Sequence, residues 1–263
     1  MGGHAAAARA HDARTGEVWA SLAPVTDPEL DESVTELGFV AAVAVEGADV
    51  TVRFRLPTYW CAANFAYLMA SDMHRAVSAL PWVGGVAVEL EEHMYAETIN
   101  RGLAAGRSFG ASFGEEADGE LDAVRATFRR KAFQQRQESL LRHLLEQGRT
   151  AATLCALRVD GLEALADEAA VDRRLLARYV EIRREHGGPS TPDAFAFVDV
   201  DGGPLSPERF TAHLSALRRV RINTQFNGEL CRGLLRARYG DDTAGPEPVH
   251  EVRVDFPRTT RTP

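Results

Sequence analysis

The chain of 263 residues is 45% hydrophobic and 26% charged, an ordinary composition for a folded protein of one large or two small domains. No stretch reaches the roughly 18 consecutive apolar residues of a membrane span, and charged residues interrupt the Ala-rich start before a signal peptide can form. We therefore expect a cytoplasmic protein without a membrane partner. Three cysteines with no CxxC pair argue against a disulfide scaffold and a zinc knuckle.

The net charge changes sign along the chain. Residues 1–100 carry 5 basic and 14 acidic side chains, residues 101–240 carry 22 and 19, and residues 241–263 carry 3 and 5. Together with the patterns below, this predicts a disordered start at 1–14, a domain at 15–95, a second unit at 96–240 and a tail at 241–263. Neither unit has the surplus of Arg and Lys that a phosphate backbone requires, so we expect no nucleic-acid partner.

The first domain is predicted to be a compact α-β-β-α-β unit. A short helix at 17–22 precedes a β-hairpin, which alternating apolar residues predict at 39–45 and 50–56. Apolar residues three and four apart over 62–80 predict a helix with one buried face, and 83–90 predicts a third strand. Because a helix joins strands two and three, their pairing would be parallel and the sheet mixed. The predicted fold class is α+β.

The second unit is predicted to be mainly helical. Helical periodicity is present over 97–105, 121–146, 161–186 and 207–219, and a Gly/Ser-rich break separates the first two at 106–114. Residues 194–199 are predicted to form a strand. Asn227-Gly228 predicts a turn that places Cys231 one turn into a following helix, and 249–256 predicts an edge strand in the tail.

Three short motifs follow one another in the first domain. They are Asp27-Pro28-Glu29-Leu30 in a turn, Thr35-Glu36-Leu37-Gly38 before the first strand, and Thr58-Tyr59-Trp60-Cys61 before the long helix. Their order and spacing resemble the PaaD/SufT-like family over about residues 15–93. Members of that family often have Pro directly after the cysteine, whereas Ala62 follows it here.

This resemblance implies a role in iron–sulfur cluster assembly or metalloenzyme maturation, without a reaction of the chain's own. The cargo would be iron or an iron–sulfur cluster, held transiently or not held stably at all. The segment 227–239 weakly resembles longer accessory proteins of propane- and alkane-type di-iron monooxygenases. The implied partner is a client metalloenzyme, an oxygenase subunit, recognised by the helical extension. A homodimer is left open.

Cys61 is the residue on which a metal-handling role depends. A position at the amino end of the long helix would place its sulfur in the positive end of the helix dipole, which favours the thiolate that binds metals. Cys231 is the second candidate thiolate, and Cys155 is expected to lie in the core. The alternative for Cys61 and Cys231 is that of most free cysteines, a small apolar residue packed in the interior.

The other candidate ligands are carboxylates and one imidazole. Asp27 and Glu29 would bind the metal or would cap backbone N–H groups of their loop. His93, which follows two glutamates, would be a ligand or a solvated strand end. In support of the motif, Glu36 and Gly38 would set the loop conformation, and Thr58 is predicted to cap the long helix.

Two other functions stay open at this stage. A thiol-dependent enzyme would use Cys61 as its nucleophile and His93 or His74 as the base. A DNA-binding regulator would use the arginines of the second unit, and its binding would depend steeply on salt.

Overall fold

The computed structural model describes residues 13–114, 118–186 and 188–240. Helix α1 occupies 13–22, so residues 13 and 14, which we predicted to be disordered, are helical. The other residues of the predicted disordered start, and the edge strand predicted at 249–256, lie outside the described residues.

A small mixed sheet forms the centre of the first module, as predicted. Strands β1 (Val40–Glu46) and β2 (Asp49–Arg55) pair antiparallel, helix α2 (Ala63–Ser78) follows, and β3 (Gly85–Glu91) pairs parallel to β2. Gly38, at φ +74°, provides the left-handed backbone that leads into β1. With the mainly helical remainder, this arrangement confirms the α+β fold class.

The first hydrophobic core lies between the sheet and α2. Alternate residues of β2 and every third or fourth residue of α2 are fully buried there: Val50, Val52, Phe54, Ala66, Ala70, Met73 and Val77. Helices α3 (Ala96–Ala104) and α4 (Phe109–Phe113) add Ile99 and Phe109 to the same core. Helix α4 lies within the predicted break, where the Ser108 hydroxyl accepts a hydrogen bond from the Ala111 N–H and starts the helix.

The second module packs around a core of its own. Its helices are α5 (Asp118–Glu146), α6 (Ala151–Ala156), α7 (Val159–Ala164), a 3₁₀ turn (Leu165–Asp167), α8 (Arg173–His186) and the first half of α9 (Pro207–Tyr239). None of the helices in the described parts of the chain is long and apolar enough to cross a membrane. Cys155 is buried in this core, as predicted.

The strand predicted at 194–199 is wrong. Phe195 and Val198 make only isolated β-bridges, and side chains hold the segment instead. The buried Arg183 guanidinium donates to the carbonyls of Phe195 and Ala196, and the Tyr179 hydroxyl donates to the Ala196 carbonyl at 2.9 Å. These bonds occupy the backbone groups that a strand partner would otherwise use.

Helix α9 continues through Asn227-Gly228, so the predicted turn is also wrong. The helix has 33 residues and is therefore about 50 Å long. A Cβ atom at Gly228 would lie 2.9 Å from Oε1 of Glu32, so the absence of a side chain allows the helix to approach a loop of the first module closely.

Both long helices connect the two cores. In α5, Phe128 stacks edge-on against Phe65 of α2 with ring centroids 4.9 Å apart, whereas Leu140 is buried in the second core. In α9, Leu217 belongs to the second core and Leu235 to the first. The helical extension is therefore packed against the first module at two places.

Arginines of the extension hold the acidic loop, which we define as residues 27–32. The Arg136 guanidinium binds both carboxylate oxygens of Asp31, at 2.6 and 2.8 Å, and Arg178 donates to Oδ2 at 2.9 Å. Asp31 is 4% exposed and has a φ of +54°, a conformation that Asp and Asn tolerate better than most residues. Arg232 pairs with Glu32 in the same loop. These contacts fix the loop to α5, α8 and α9.

Removing the charge of Asp31 is expected to destabilise the protein. Asp31→Asn keeps the backbone conformation but leaves Arg136 with only the exposed Glu181 carboxylate as its ionised partner, and breaking a buried pair typically costs about 3 kcal/mol of unfolding free energy. Urea unfolding followed by circular dichroism would measure this loss. Glu36→Gln is the matched control, because the Glu36–Arg174 pair is exposed and such pairs contribute about 0.5 kcal/mol or less. If both variants lost the same unfolding free energy, the Asp31 contacts would contribute no more to stability than an exposed ion pair.

Candidate functional site

Cys61 lies in a loop between β2 and α2, which we call the Cys61 loop (residues 57–62). It directly precedes Ala62, the N-cap residue of α2, and its side chain is partly buried against the first core. The sulfur lies 3.1 Å from the Thr58 hydroxyl. The prediction that Thr58 caps α2 is wrong, because α2 has no side-chain cap and the hydroxyl contacts the thiol instead.

His93 is hydrogen-bonded to the backbone of the Cys61 loop. It is 5% exposed, so the alternative of a solvated strand end is wrong. Its Nε2 lies 2.8 Å from the Cys61 carbonyl oxygen, and its Nδ1 accepts the Tyr95 N–H at 3.2 Å, so Nε2 carries the proton. Burial lowers the His93 pKa, with Arg238 nearby adding to this effect and the hydrogen bond to Cys61 opposing it. As a metal ligand, His93 would first have to release one of these two bonds.

Asp27 organises the acidic loop. Its Oδ1 accepts the backbone N–H groups of Glu29 and Leu30, both at 2.9 Å, which is the loop-capping role. The pKa of Asp27 is raised to about 6. Burial is the main cause, the charges of Glu29 and Glu32 add to it, and the two backbone hydrogen bonds oppose it. The carboxyl group is thus buried at 7% exposure and titrates close to neutrality.

Cys231 reaches the same place from α9. The helix face that contacts the first module carries Asn227, which donates to Oε1 of Glu29 at 3.2 Å, and one turn later Cys231. Burial raises the pKa of the Cys231 thiol, with smaller contributions from Asp27, Cys61 and Glu29 and an opposing one from Arg232, to about 11. Cys231 and Cys61 therefore pack against the same core, and Cys231 lies near enough to Asp27 and Glu29 for their charges to affect it.

The remaining motif residue, Glu36, lies apart from the thiols. Its carboxylate pairs with Arg174 at 2.6 Å on the surface. The glutamates beside His93 are also engaged, Glu91 with Arg53 and Arg55 and Glu92 with Arg238. Within the described ranges, no group of three or more His, Cys, Asp or Glu side chains is arranged so that it could hold a metal ion.

Sequence reasoning missed the contacts that place α9 against the acidic loop. Asn227 was interpreted as part of a turn, and the pairs of Asp31 and Glu32 with arginines more than 100 residues away have no local signal. The excess of acidic residues before position 100 and of arginines after it was the one available hint.

The geometry bears on the two alternative functions. His93 contacts the Cys61 carbonyl rather than its sulfur, and His74 lies 3.5 Å from the Ser78 hydroxyl, so in the described part of the chain neither histidine is hydrogen-bonded to the thiol. Many arginines of the second module pair with carboxylates, which reduces the positive charge that could meet a phosphate backbone: Arg136, Arg142, Arg149, Arg174, Arg178, Arg184, Arg221, Arg232 and Arg238.

Comparison with known proteins identifies the first module. Residues 15–90 match the family model described as iron–sulfur cluster assembly protein, and this match supports a role in iron–sulfur cluster assembly. The match covers less than a third of the chain and ends before α3, so it includes Cys61, Asp27 and Glu29 but not Cys231. No curated protein and no solved structure matches the chain.

Asp27 should make stability depend on pH. Its raised pKa means that the folded state retains a proton that the unfolded chain loses near pH 4, so this contribution to stability is lost as pH rises through about 6. Asp27→Asn keeps the acceptor but cannot ionise. We expect the unfolding free energy of the wild type, relative to that of the variant, to fall by roughly 2 kcal/mol between pH 4 and pH 7.

Urea unfolding at several pH values would measure this difference. Glu46→Gln, at an exposed position on the hairpin, is the control and should run parallel to the wild type. Parallel profiles for the wild type and Asp27→Asn would show that the carboxyl group is not buried as described.

Proposed function

We propose that this chain, through its iron–sulfur assembly domain at residues 15–90, helps a client metalloenzyme acquire iron or an iron–sulfur cluster. The observation that carries the proposal is the approach of α9 to this domain, where Asn227 donates to Glu29 and Cys231 packs against the same core as Cys61. The described side chains form no complete group of three or more ligands, so a client would supply the remaining ones. Thiolate and carboxylate are ligands that iron accepts. The cargo would be bound at the junction between the assembly domain and α9.

The incomplete set of ligands supports transfer rather than storage. Clusters that stay bound are usually held by four cysteine thiolates. Here two thiols pack against the first core, and the third cysteine, Cys155, is buried in the other core. A cluster or ion held by two thiolates keeps coordination positions for ligands of a receiving protein.

Protonation of Cys231 also favours weak, reversible binding. With a pKa of about 11, this thiol carries its proton at neutral pH, and a metal must displace that proton to bind. The free energy needed for deprotonation lowers the affinity for the cargo. A carrier must release what it binds, and this feature of the site suits that requirement.

The client that the resemblance of the extension implies is the oxygenase subunit of a multicomponent di-iron monooxygenase. Such an enzyme needs iron placed in a site it cannot fill efficiently alone, and its carboxylate and histidine ligands would compete with the two thiols for the ion. The chain would act stoichiometrically on its client and would turn over no metabolite.

Iron binding by the isolated chain tests the proposed site. In anaerobic equilibrium dialysis with Fe²⁺, Cys61→Ala and Cys231→Ala are each expected to weaken binding by about tenfold or more, because each removes one ligand. Cys155→Ala is the matched control and should bind as the wild type does. Circular dichroism would establish that all three variants are folded. Binding that is insensitive to Cys61 and Cys231 would refute the site.

Iron loading of a co-expressed oxygenase subunit tests the role itself. We expect the iron content of the subunit to fall when wild-type chain is replaced by Cys61→Ala, and to be unchanged with Cys155→Ala. The same iron content in both cases would refute the maturation role even if the isolated chain binds iron.

A further inference from the structure

Large exposed apolar side chains are concentrated on three segments. Among the described residues they occur in the Cys61 loop, in the turn after β3 and on the second half of α9: Tyr59, Trp60, Met94, Tyr95, Ile222, Phe226, Leu230 and Leu234. We call these eight residues the apolar surface. Trp60 is 71% and Phe226 68% exposed. Soluble proteins seldom leave such side chains grouped in solvent unless another molecule covers them.

Hydrogen bonds join the three segments to one another. The Met94 N–H donates to the Tyr59 carbonyl at 3.0 Å, which joins the turn to the Cys61 loop. Arg238 of α9 donates to the Leu56 carbonyl at 3.4 Å and to the Glu92 carbonyl at 2.8 Å, at the bases of the same two segments. Trp60 precedes Cys61 in the chain and Leu230 precedes Cys231, so each of these two thiols follows a residue of the apolar surface in the sequence.

The apolar residues of α9 form a single line along the helix. Ile222, Phe226, Leu230 and Leu234 are each four residues apart, a spacing that places them on one face. The largely opposite side of the helix, which carries Gly228, Cys231 and Leu235, packs against the first module. The apolar line therefore faces away from both described cores and has the form of a groove-binding or helix-pairing surface.

The charges beside this line are positive. Between positions 218 and 238 the helix carries six arginines and one glutamate. Arg218 and Arg219 are exposed and form no ion pair within the part of the chain that the structure describes. A partner with carboxylates around an apolar centre would complement this arrangement and would associate faster at low salt.

We infer that the apolar surface docks the client polypeptide through an acidic amphipathic segment, an inference that rests on the proposed function and names the partner's chemistry. A second copy of this chain fits less well, because a twofold axis through the α9 line brings Arg218 and Arg219 against Arg236 and Arg238 when the helices are antiparallel, and each arginine against itself when they are parallel.

A pair of synthetic peptides tests the inference on the full chain. The first is a fluorescein-labelled helical peptide with leucines four residues apart and flanking glutamates, and the second has lysines in place of the glutamates. By fluorescence anisotropy we expect the glutamate peptide to bind the wild type at least about tenfold more tightly than the lysine peptide. Raising the salt concentration should weaken its binding.

Three variants locate the binding surface. Phe226→Ser/Leu230→Ser should weaken the glutamate peptide by about tenfold or more, because two exposed anchors are lost. Arg218→Gln/Arg219→Gln should weaken the glutamate peptide and leave the lysine peptide unchanged or stronger. Ala212→Ser, exposed on the same helix ten residues before Ile222, is the control and should bind as the wild type does. All the changed positions are exposed, so the variants should fold, which circular dichroism would check.

Other occupants of the surface would overturn the inference. Equal binding of both peptides, or peptide binding that Phe226→Ser/Leu230→Ser does not affect, would contradict the proposed acidic partner. A wild-type dimer that this variant dissociates in analytical ultracentrifugation would show that a second copy of the chain covers the surface. Binding to phosphatidylcholine–phosphatidylserine vesicles that this variant abolishes would show that a membrane does. A failure to bind bis-ANS, with no change in the variant, would show that the chain itself covers the surface.

The docking inference and the proposed function can be refuted independently of each other. Phe226→Ser/Leu230→Ser should bind Fe²⁺ as the wild type does, since it leaves both thiols in place. If the peptides behave as expected but Cys61→Ala binds iron normally, the proposed function fails and the docking surface stands. If iron binding depends on Cys61 but the peptides do not distinguish the variants, the docking inference alone is refuted.

Discussion

The ion pairs of Arg136 and Arg178 with Asp31 are the contacts on which the rest of the site depends. Asp31 lies in the acidic loop, four residues after Asp27, and the two arginines belong to α5 and α8. By holding this loop, the helical module fixes its own orientation on the assembly domain. Buried ion pairs contribute little net stability, because desolvation of the charges offsets their attraction, but an unpaired partner is costly. Such a contact therefore selects one arrangement of the two modules over others.

That arrangement determines which part of α9 passes the Cys61 loop. With the acidic loop held by α5 and α8, Gly228 lets the helix approach Glu32, Asn227 reaches Glu29, and Cys231 packs against the same core as Cys61. The backbone of the Cys61 loop is held from the other side by His93. The Cys61 thiol thus lies on a loop and the Cys231 thiol on a long helix. Contacts with residues far away in the chain set the positions of both.

The sequence predicted what local patterns encode and failed where tertiary contacts decide. The hairpin, the crossover helix and the long helix α5 follow from apolar periodicity, which is visible within ten to twenty residues. Asn227-Gly228 looked like a turn because that pair is a common turn signal, yet Gly228 is a point of close helix–loop contact. The role of Thr58 was wrong for a similar reason, since its hydroxyl contacts the nearby thiol instead of a backbone N–H. The burial of His93 and the ion pairs of Asp31 have no signal in the sequence near those residues.

Under the proposed function, the position of Cys231 outside the matched domain would give the extension a chemical as well as a recognition role. Residues 15–90 supply Cys61, Asp27 and Glu29, and a domain ending there would offer a single thiol to its cargo. Helix α9 brings a second thiol and, on its largely opposite side, the line of apolar residues. If the client docks on that line and the two thiols hold the cargo, as we propose, one helix would contact both the client and the cargo. Docking and release could then be coupled through that helix.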